Sequence, residues 1–228
     1  MGRTLRVNLR GHVHHVVNRA NARLRIFDDT PDYAAFEQIM QLAQQRADMR
    51  LLAWCVMPNH WHMVVWPKRD GDLSRFFAYL TLTHTQRWHA HRHTTGEGHV
   101  YQGRYKSFLI ESESYLWSAC RYVERNALRA GLVERAQDWR WGSLWHWANR
   151  HRNLHDMPEL SDWPVVRPHN WVSRVNQPES HDELEAIRTC MNRSRPYGSE
   201  NWVEKISAKL NLTTTLRPRG RPRKGELT

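Results

Sequence analysis

The chain is poor in cysteine, lacks long apolar runs and is short of acidic side chains. Its three cysteines, Cys55, Cys120 and Cys190, lie far apart and form no CxxC pair. That pattern disfavours a disulfide framework and indicates a reducing, cytoplasmic setting. A mean hydropathy of −0.78, without any long apolar stretch, predicts no membrane span. The first residues also lack the apolar core of a secretory signal peptide.

The shortage of acid leaves a strongly basic chain. Its 228 residues carry 34 Lys and Arg against 23 Asp and Glu, a formal net charge of +11. Because 40% of the residues are hydrophobic, with 12 Trp among them, the chain is too apolar for a disordered basic tail. The composition therefore indicates a folded protein whose acidic partner is nucleic acid, which would place it with the nucleoid.

Alternating and helical apolar patterns organise the first part of the chain. They predict strands at 11–18, 50–57, 60–66 and 101–110, and helices at 31–48, at 73–92 and from Ser112 or Ser114 to about Asn126, with Thr30 capping the first helix. The order is strand, helix, strand, strand, helix, strand, and then one more helix. This order is typical of the α+β, ferredoxin-like split βαβ fold, an antiparallel sheet with helices on one face.

The remainder of the chain has weaker periodicity. Residues 134–175 hold six Trp and predict an irregular wrap with short helical turns. Ser180 and Glu183 have the spacing of a capping box at the start of a helix over 180–192, and a second helix is expected at 199–210. We therefore expect three parts: a main domain at 1–150, a helical extension at 151–213 and a basic tail at 214–228.

His60-Trp61-His62 is the sharpest local signal. Residues two apart on a strand share a face, so both imidazoles project together and Trp61 projects to the other side. Two such histidines can occupy adjacent positions on a divalent metal ion, although this spacing also occurs in strands that bind nothing. A second histidine cluster, formed by His12, His14 and His15, is a rival metal site.

Tyr122 and Asn126 form the second candidate site. At a spacing of four they share one face of the last predicted helix of the main domain. An amide oxygen suits Mg²⁺ or Mn²⁺, and a phenol is a possible nucleophile. The alternative is a tyrosine that packs on the sheet and an asparagine that ends the helix. Tyr115, on the same helix, is a rival nucleophile.

Three ordered motifs carry a family resemblance. They are MPNHWHMVV (57–65), GHVYQGRYKS (98–107) and RYVERNALRAGLV (121–133). Together they resemble the single-tyrosine HUH transposases, above all the REP-associated tyrosine transposases. RPYGSE (195–200) and LRPRGRPRK (216–224) are similar to the C-terminal elements of that branch. One position departs from the pattern, because many relatives have Asn-Pro where this chain has Asn126-Ala127, and Ala127 permits another helical turn.

The resemblance implies roles for individual residues. His60 and His62 match the HUH pair, Tyr122 matches the nucleophile and Asn126 matches the third ligand of a Mg²⁺ or Mn²⁺ ion. The implied reaction joins Tyr122 to the 5′-phosphate of single-stranded DNA and releases a 3′-hydroxyl, which can later rejoin the strand. The implied substrates are imperfect palindromic repeats in single-stranded DNA that fold into hairpins with a short conserved flanking tetranucleotide.

Cationic and aromatic residues are candidates for DNA contacts. Arg104 and Lys106, on the fourth predicted strand, could reach the phosphodiester. The tail 218–223, PRGRPR, resembles an AT-hook, whose arginines enter a narrow minor groove. The tail cations are Arg217, Arg219, Arg221, Arg223 and Lys224. The candidates for stacking on exposed bases are Trp61, Trp139, Trp141, Trp145 and Trp147.

Two other functions fit parts of the pattern. A degenerate member of the fold could bind repeat hairpins without cutting them, as a regulatory or architectural protein. A zinc-binding structural protein could use His12, His14 and His15, although no cysteine stands at a zinc-ligand spacing. The sequence is compatible with a monomer or a homodimer.

Overall fold

A computed structural model of the protein describes residues 7–152 and 157–217. Its sheet has four strands, β1 (Val13–Arg19), β2 (Met49–Met57), β3 (His60–Pro67) and β4 (Lys106–Ile110). They lie in the order β2-β3-β1-β4, and every adjacent pair is antiparallel. This is the sheet of the split βαβ fold, so the predicted α+β, ferredoxin-like class is confirmed.

Eight α-helices accompany the sheet in the described part of the chain. They are α1 (Thr30–Ala47), α2 (Asp72–Arg92), α3 (Ser114–Glu124), α4 (Asn126–Arg129), α5 (Ser143–Ala148), α6 (Trp171–Asn176), α7 (His181–Arg193) and α8 (Glu200–Lys209). Arg125 lies between α3 and α4 and keeps helical backbone angles, so the two helices are nearly continuous. The helix therefore gains the extra turn that alanine at position 127 permits.

The residues that cap the helices were predicted less accurately than the helices themselves. Asp29, not Thr30, caps α1, since its side chain accepts the backbone N–H of Asp32. Neither predicted serine caps α3, because Glu113 occupies the cap position and makes no capping hydrogen bond. At α7 the prediction is confirmed, with Ser180 and Glu183 forming a complete capping box.

The fourth strand is shorter than predicted. It begins at Lys106, and Tyr101 makes only an isolated bridge with Ala20. Arg104 therefore lies in the loop before β4. The Tyr101 side chain is buried in the core. Its hydroxyl accepts the Trp61 indole N–H at 3.1 Å and lies 2.8 Å from Nδ1 of His84.

Helices cover both faces of the sheet, whereas the sequence predicted one covered face. The first face carries Trp61, Met63 and Val65 of β3 and packs against α1 and α2. The opposite face carries Val64, Cys55 and Phe108, and it packs against α3 and the segments that follow. This second layer consists of α3 with α5 and α6. The sequence patterns predicted α3 but not the face it covers, and they indicated only short helical turns for α5 and α6, which are six residues long.

A buried carboxylate ties α3 to this second layer. Glu124 accepts the Ser143 hydroxyl and the Trp171 indole N–H, both at 2.6 Å. Burial raises the pKa of Glu124, and the two donors oppose that rise. The Trp-rich segment thus holds α3 in place from its far side. No helix in residues 7–152 and 157–217 is long and apolar enough to cross a membrane.

Candidate active site

Strand β3 carries the histidine pair on the face covered by α3. His60 and His62 project to that face, with ring centroids 5.1 Å apart. Trp61, between them, is fully buried in the opposite core and stacks on Phe77. The alternation of a strand therefore places both imidazoles together, as the sequence predicted.

Each imidazole is anchored through Nδ1. The Nδ1 atom of His60 lies 2.6 Å from Oδ1 of Asn59, and Nδ1 of His62 lies 3.1 Å from Nε2 of His15. With Nδ1 as the donor in both pairs, each Nε2 keeps its lone pair. Burial lowers the pKa of His60 to about 4 and that of His62 well below its ordinary value. Both rings are therefore neutral at physiological pH, the state in which imidazole binds metal.

Helix α3 brings Tyr122 against this pair. The Tyr122 ring meets His62 edge to face at 5.8 Å between centroids, and it meets His15 at 6.2 Å. Burial raises the pKa of the Tyr122 phenol, and the guanidinium groups of Arg129 and Arg188 oppose that rise. Tyr115 lies two turns away and packs against Tyr197, away from the histidines.

Asn126 begins α4, one turn beyond Tyr122. It is buried, its Oδ1 accepts Nη2–H of Arg129 at 3.1 Å, and its Nδ2 has no hydrogen-bond partner in the structure. A carbonyl oxygen has a second lone pair, so Oδ1 retains an acceptor site while it is held by Arg129.

Arg129 connects the parts of the site. Its guanidinium lies 4.1 Å from the centre of the Tyr122 ring, a cation–π contact, and donates to the Tyr122 carbonyl at 3.2 Å. Its Nη1 donates to Glu179 at 2.7 Å. A single side chain thus fixes the tyrosine, the asparagine and the extension relative to one another.

The donor set fits a divalent cation that accepts imidazole nitrogen as well as oxygen. Two neutral imidazoles with a free Nε2, plus one amide oxygen, leave coordination positions open for phosphate and water oxygens, as Mg²⁺ sites usually do. The described residues contain no cluster of three or more His, Cys, Asp or Glu suited to a metal. The zinc hypothesis is wrong, because His14 and His15 are consecutive on β1 and point to opposite faces of the sheet.

The site opens into a cleft of about 1380 Å³ between the sheet and the C-terminal segments. Its lining includes seven cations, Arg19, Arg104, Lys106, Arg129, Arg188, Arg193 and Arg217. Among the described residues, no Asp or Glu lines it. A groove with cations on both walls and no acid attracts a phosphate backbone.

Three of the predicted DNA-contacting cations lie in this cleft, namely Arg104, Lys106 and Arg217. Arg104 and Lys106 are exposed on the sheet side, and Arg217 is exposed on the opposite side. Four more, Arg219, Arg221, Arg223 and Lys224, lie outside the described residues, as does the AT-hook-like motif.

The tryptophans predicted to stack on bases do not line the cleft. Trp61 is fully buried, and Trp141 is stacked on Tyr33 within the core. Trp139 donates its indole N–H to the carbonyl of Val56 at 3.0 Å. The Trp145 and Trp147 rings are covered by guanidinium groups at 4.2–4.4 Å. These rings are used in packing within the protein, so the stacking prediction is wrong for Trp61 and unsupported for the others.

Sequence reasoning missed four residues of the site. Arg129 carried a signal, because it lies seven residues after Tyr122 and three after Asn126, on the same helical face. His15 was noticed but assigned to a rival cluster. Glu179 and Arg188 carried no local signal, since they meet Tyr122 and its neighbours only through tertiary packing.

Comparison with known proteins identifies the family and the fold. The profile of the IS200-like transposases matches residues 9–126, just over half of the chain. The protein named "Putative REP-associated tyrosine transposase" from Haemophilus influenzae is 25% identical over 120 residues, which cover 49% of this chain and 65% of that protein. The alignment thus spans less than two thirds of that relative.

A solved structure shares the fold. A REP-associated tyrosine transposase bound to a REP hairpin superposes with a TM-score of 0.55 at 19% identity, covering 74% of this chain and 98% of the other. The residues that match the family profile contain His60, His62, Tyr122 and Asn126. The chain therefore belongs to the IS200-like transposase family.

Proposed function

We propose that the protein cuts and rejoins single-stranded DNA beside hairpin-forming palindromic repeats, through a 5′-phosphotyrosine at Tyr122. The observation that carries the proposal is the contact between Tyr122 and His62 at the floor of a cationic cleft. A nucleophile, a candidate ligand pair and a phosphate-attracting groove meet there within one chain.

His60 and His62, through Nε2, and Asn126, through Oδ1, are the residues that would hold Mg²⁺ or Mn²⁺. When bound, such an ion offsets the negative charge of the scissile phosphate and polarises its P–O bonds. Burial keeps both imidazoles unprotonated, so they need lose no proton to bind the ion. His15 and Asn59 hold the rings in position.

The reaction at Tyr122 is a transesterification. The bond between the phenol oxygen and phosphorus forms, and the P–O3′ bond breaks. The phenol loses one proton and the departing 3′ oxygen gains one, so no proton is gained or lost overall. The released 3′-hydroxyl attacks the phosphotyrosine in the reverse step, so rejoining requires no external energy source.

The expected substrate is a hairpin with a single-stranded flank. A relative with the same fold was solved bound to a REP hairpin. In this chain the cleft is lined by Arg104 and Lys106 from the sheet side and by Arg193 and Arg217 from the C-terminal segments. Such a groove fits one flexible strand that can bend its phosphate towards Tyr122.

The proposed active form is a monomer that uses its own tyrosine. Tyr122 lies against the histidines of the same chain, and α3 is fastened by Glu124 from one side. Arg125 and Arg129 fasten it to Glu179 from the other side. A helix held in this way has little freedom to exchange with a second chain.

The test uses a palindrome from the DNA that flanks the coding gene, with its single-stranded flank labelled on the 3′ side of the cut. With Mg²⁺ or Mn²⁺, the wild type should form a covalent protein–DNA band, and Tyr122→Phe should form none. Tyr115→Phe is the matched control and should retain the band.

A band that persists in Tyr122→Phe would overturn the nucleophile assignment. Tight hairpin binding without any covalent band, in either metal, would favour the non-catalytic hairpin-binding protein instead.

A further inference from the structure

Arg188 lies beyond residues 9–126, which match the family profile, but it borders the cleft of the nucleophile. It stands on α7, in the C-terminal extension, and its guanidinium lies close enough to Tyr122 to interact electrostatically with the phenol. Arg188 and Tyr122 both line the cleft. Two cations therefore lie near the tyrosine, Arg129 over its ring and Arg188 on a second element that borders the same cleft.

A stripe of arginines fixes α7 in this position. Arg121, Arg125 and Arg129 recur every four residues on one face of α3 and α4, and all three reach the segment that leads into α7. Arg121 donates to the carbonyls of Gln177 and Pro178, at 3.2 and 2.7 Å.

Arg125 and Arg129 share the buried carboxylate of Glu179, at 3.0 and 2.7 Å. Arg125 also donates to the carbonyl of Asn176 at 2.7 Å. Since Glu179 immediately precedes the capping box of α7, its two ion pairs fix the start of that helix against α3. Arg188 is therefore presented to Tyr122 from a rigid element.

The Arg188 side chain is nevertheless free to engage a ligand. It is exposed, and its ion pair, to Glu185 at 3.0 Å, joins two groups that are each about half exposed. Exposed ion pairs of this kind are weak. A phosphate bound beside Tyr122 competes favourably for the guanidinium, because arginine can bind two phosphate oxygens at once.

We propose that Arg188 is a further catalytic residue, supplied by the C-terminal extension, which binds the scissile phosphate as the Tyr122 oxygen attacks it. This inference rests on the proposed function. The bond between the Tyr122 oxygen and phosphorus forms while the P–O3′ bond breaks, and Arg188 donates hydrogen bonds to the non-bridging oxygens. Because negative charge accumulates on those oxygens in the transition state, a fixed cation there accelerates the step.

The test separates chemistry from binding. Arg188→Gln should lower the single-turnover rate of covalent adduct formation, measured at saturating hairpin DNA, by roughly 10²-fold. Arg188→Lys should recover part of that loss, since it keeps the charge but not the paired donors. The hairpin Kd should change far less than the rate. Thermal unfolding of each variant checks that the fold is retained.

Arg87→Gln is the matched control. It removes one exposed helical arginine, on α2 and outside the cleft, and should leave the rate unchanged. A rate for Arg188→Gln within about threefold of wild type, or a loss explained entirely by weaker DNA binding, would overturn the proposal. A wild type that binds the hairpin but forms no adduct would overturn the proposed function itself. That result differs from the loss of rate in Arg188→Gln alone, which tests only the role of Arg188.

Discussion

The Nε2 atom of His15 lies 3.1 Å from the Nδ1 atom of His62, although the two residues are 47 positions apart in the chain. His15 is fully buried and stacks on Phe108 at 4.7 Å between ring centroids, so its position is set by packing. It therefore orients the His62 ring and directs Nε2 of His62 to the cleft. Such supporting contacts are a regular part of metal sites.

Replacing His15 should weaken metal binding without removing a ligand. His15→Phe preserves the stacking volume but cannot accept the His62 proton. We expect the Mn²⁺ affinity of the protein, measured by calorimetric titration, to fall about 10- to 100-fold. His91→Gln, at an exposed position on α2, is the control. Unchanged Mn²⁺ affinity in His15→Phe would show that His62 needs no such support.

Glu179 should be a large stabilising contributor within the extension. It is only 5% exposed and pairs with two arginines, so Glu179→Gln leaves two partly buried cations without their carboxylate. The free energy of unfolding should fall by roughly 2–4 kcal/mol, measured by urea denaturation.

Glu185→Gln is the comparison for that measurement, because it breaks an exposed pair on α7 and should cost less than about 0.5 kcal/mol. Equal effects of the two substitutions would mean that Glu179 does not hold α7 against α3.

The cleft cations should determine how strongly salt weakens DNA binding. Each phosphate contact to a single strand contributes about 0.7 to the slope of log K against log salt concentration. Arg104→Gln and Lys106→Gln should therefore each reduce that slope by about 0.7 in a fluorescence-anisotropy titration with hairpin DNA. Arg87→Gln should leave it unaltered. If neither cleft substitution changes the slope, the strand does not follow the sheet side of the cleft.

Acid should destabilise the fold through buried histidines such as His84. Burial lowers the pKa of His84 to about 3, and its ring stacks on Phe27. An unfolded chain binds a proton at this position near pH 6.5, whereas the folded protein does not until about pH 3. Stability is therefore retained above pH 6.5 and lost as the pH falls through this window.

His84→Gln keeps a polar partner for Tyr101 but does not titrate. Between pH 7 and pH 5 the variant should lose about 2 kcal/mol less of its unfolding free energy than the wild type does. His169→Gln, at an exposed position, should reproduce the wild-type pH dependence. If the unfolding free energy of His84→Gln depends on pH as strongly as that of the wild type, other groups cause the acid sensitivity.

Most of the fold could be predicted because its signals are local. Strand alternation predicts that His60 and His62 share one face of the sheet, and helical spacing predicts that Tyr122 and Asn126 share one face of a helix. The errors fell where local signals compete, as at the start of α1, where Asp29 and Thr30 are both good caps.

The tryptophans show where composition misleads. An abundance of Trp in a basic protein suggested bases as partners, but Trp61 and Trp171 are buried. A large aromatic side chain gains most from burial in a core, and its single N–H finds an internal acceptor, as Trp171 does with Glu124. Composition cannot distinguish a tryptophan that is buried in a core from one that stacks on bases.

Local sequence patterns were enough to predict the order of the elements, the shared face of the histidine pair and the shared helical face of Tyr122 and Asn126, because periods of 2 and 3.6 residues are properties of short segments. The support of His62 by His15, and the approach of Glu179 and Arg188 to the tyrosine helix, depend on long-range packing. These contacts join residues about 50 or more positions apart. They form only when the sheet, α3 and the extension pack together, so no local pattern encodes them.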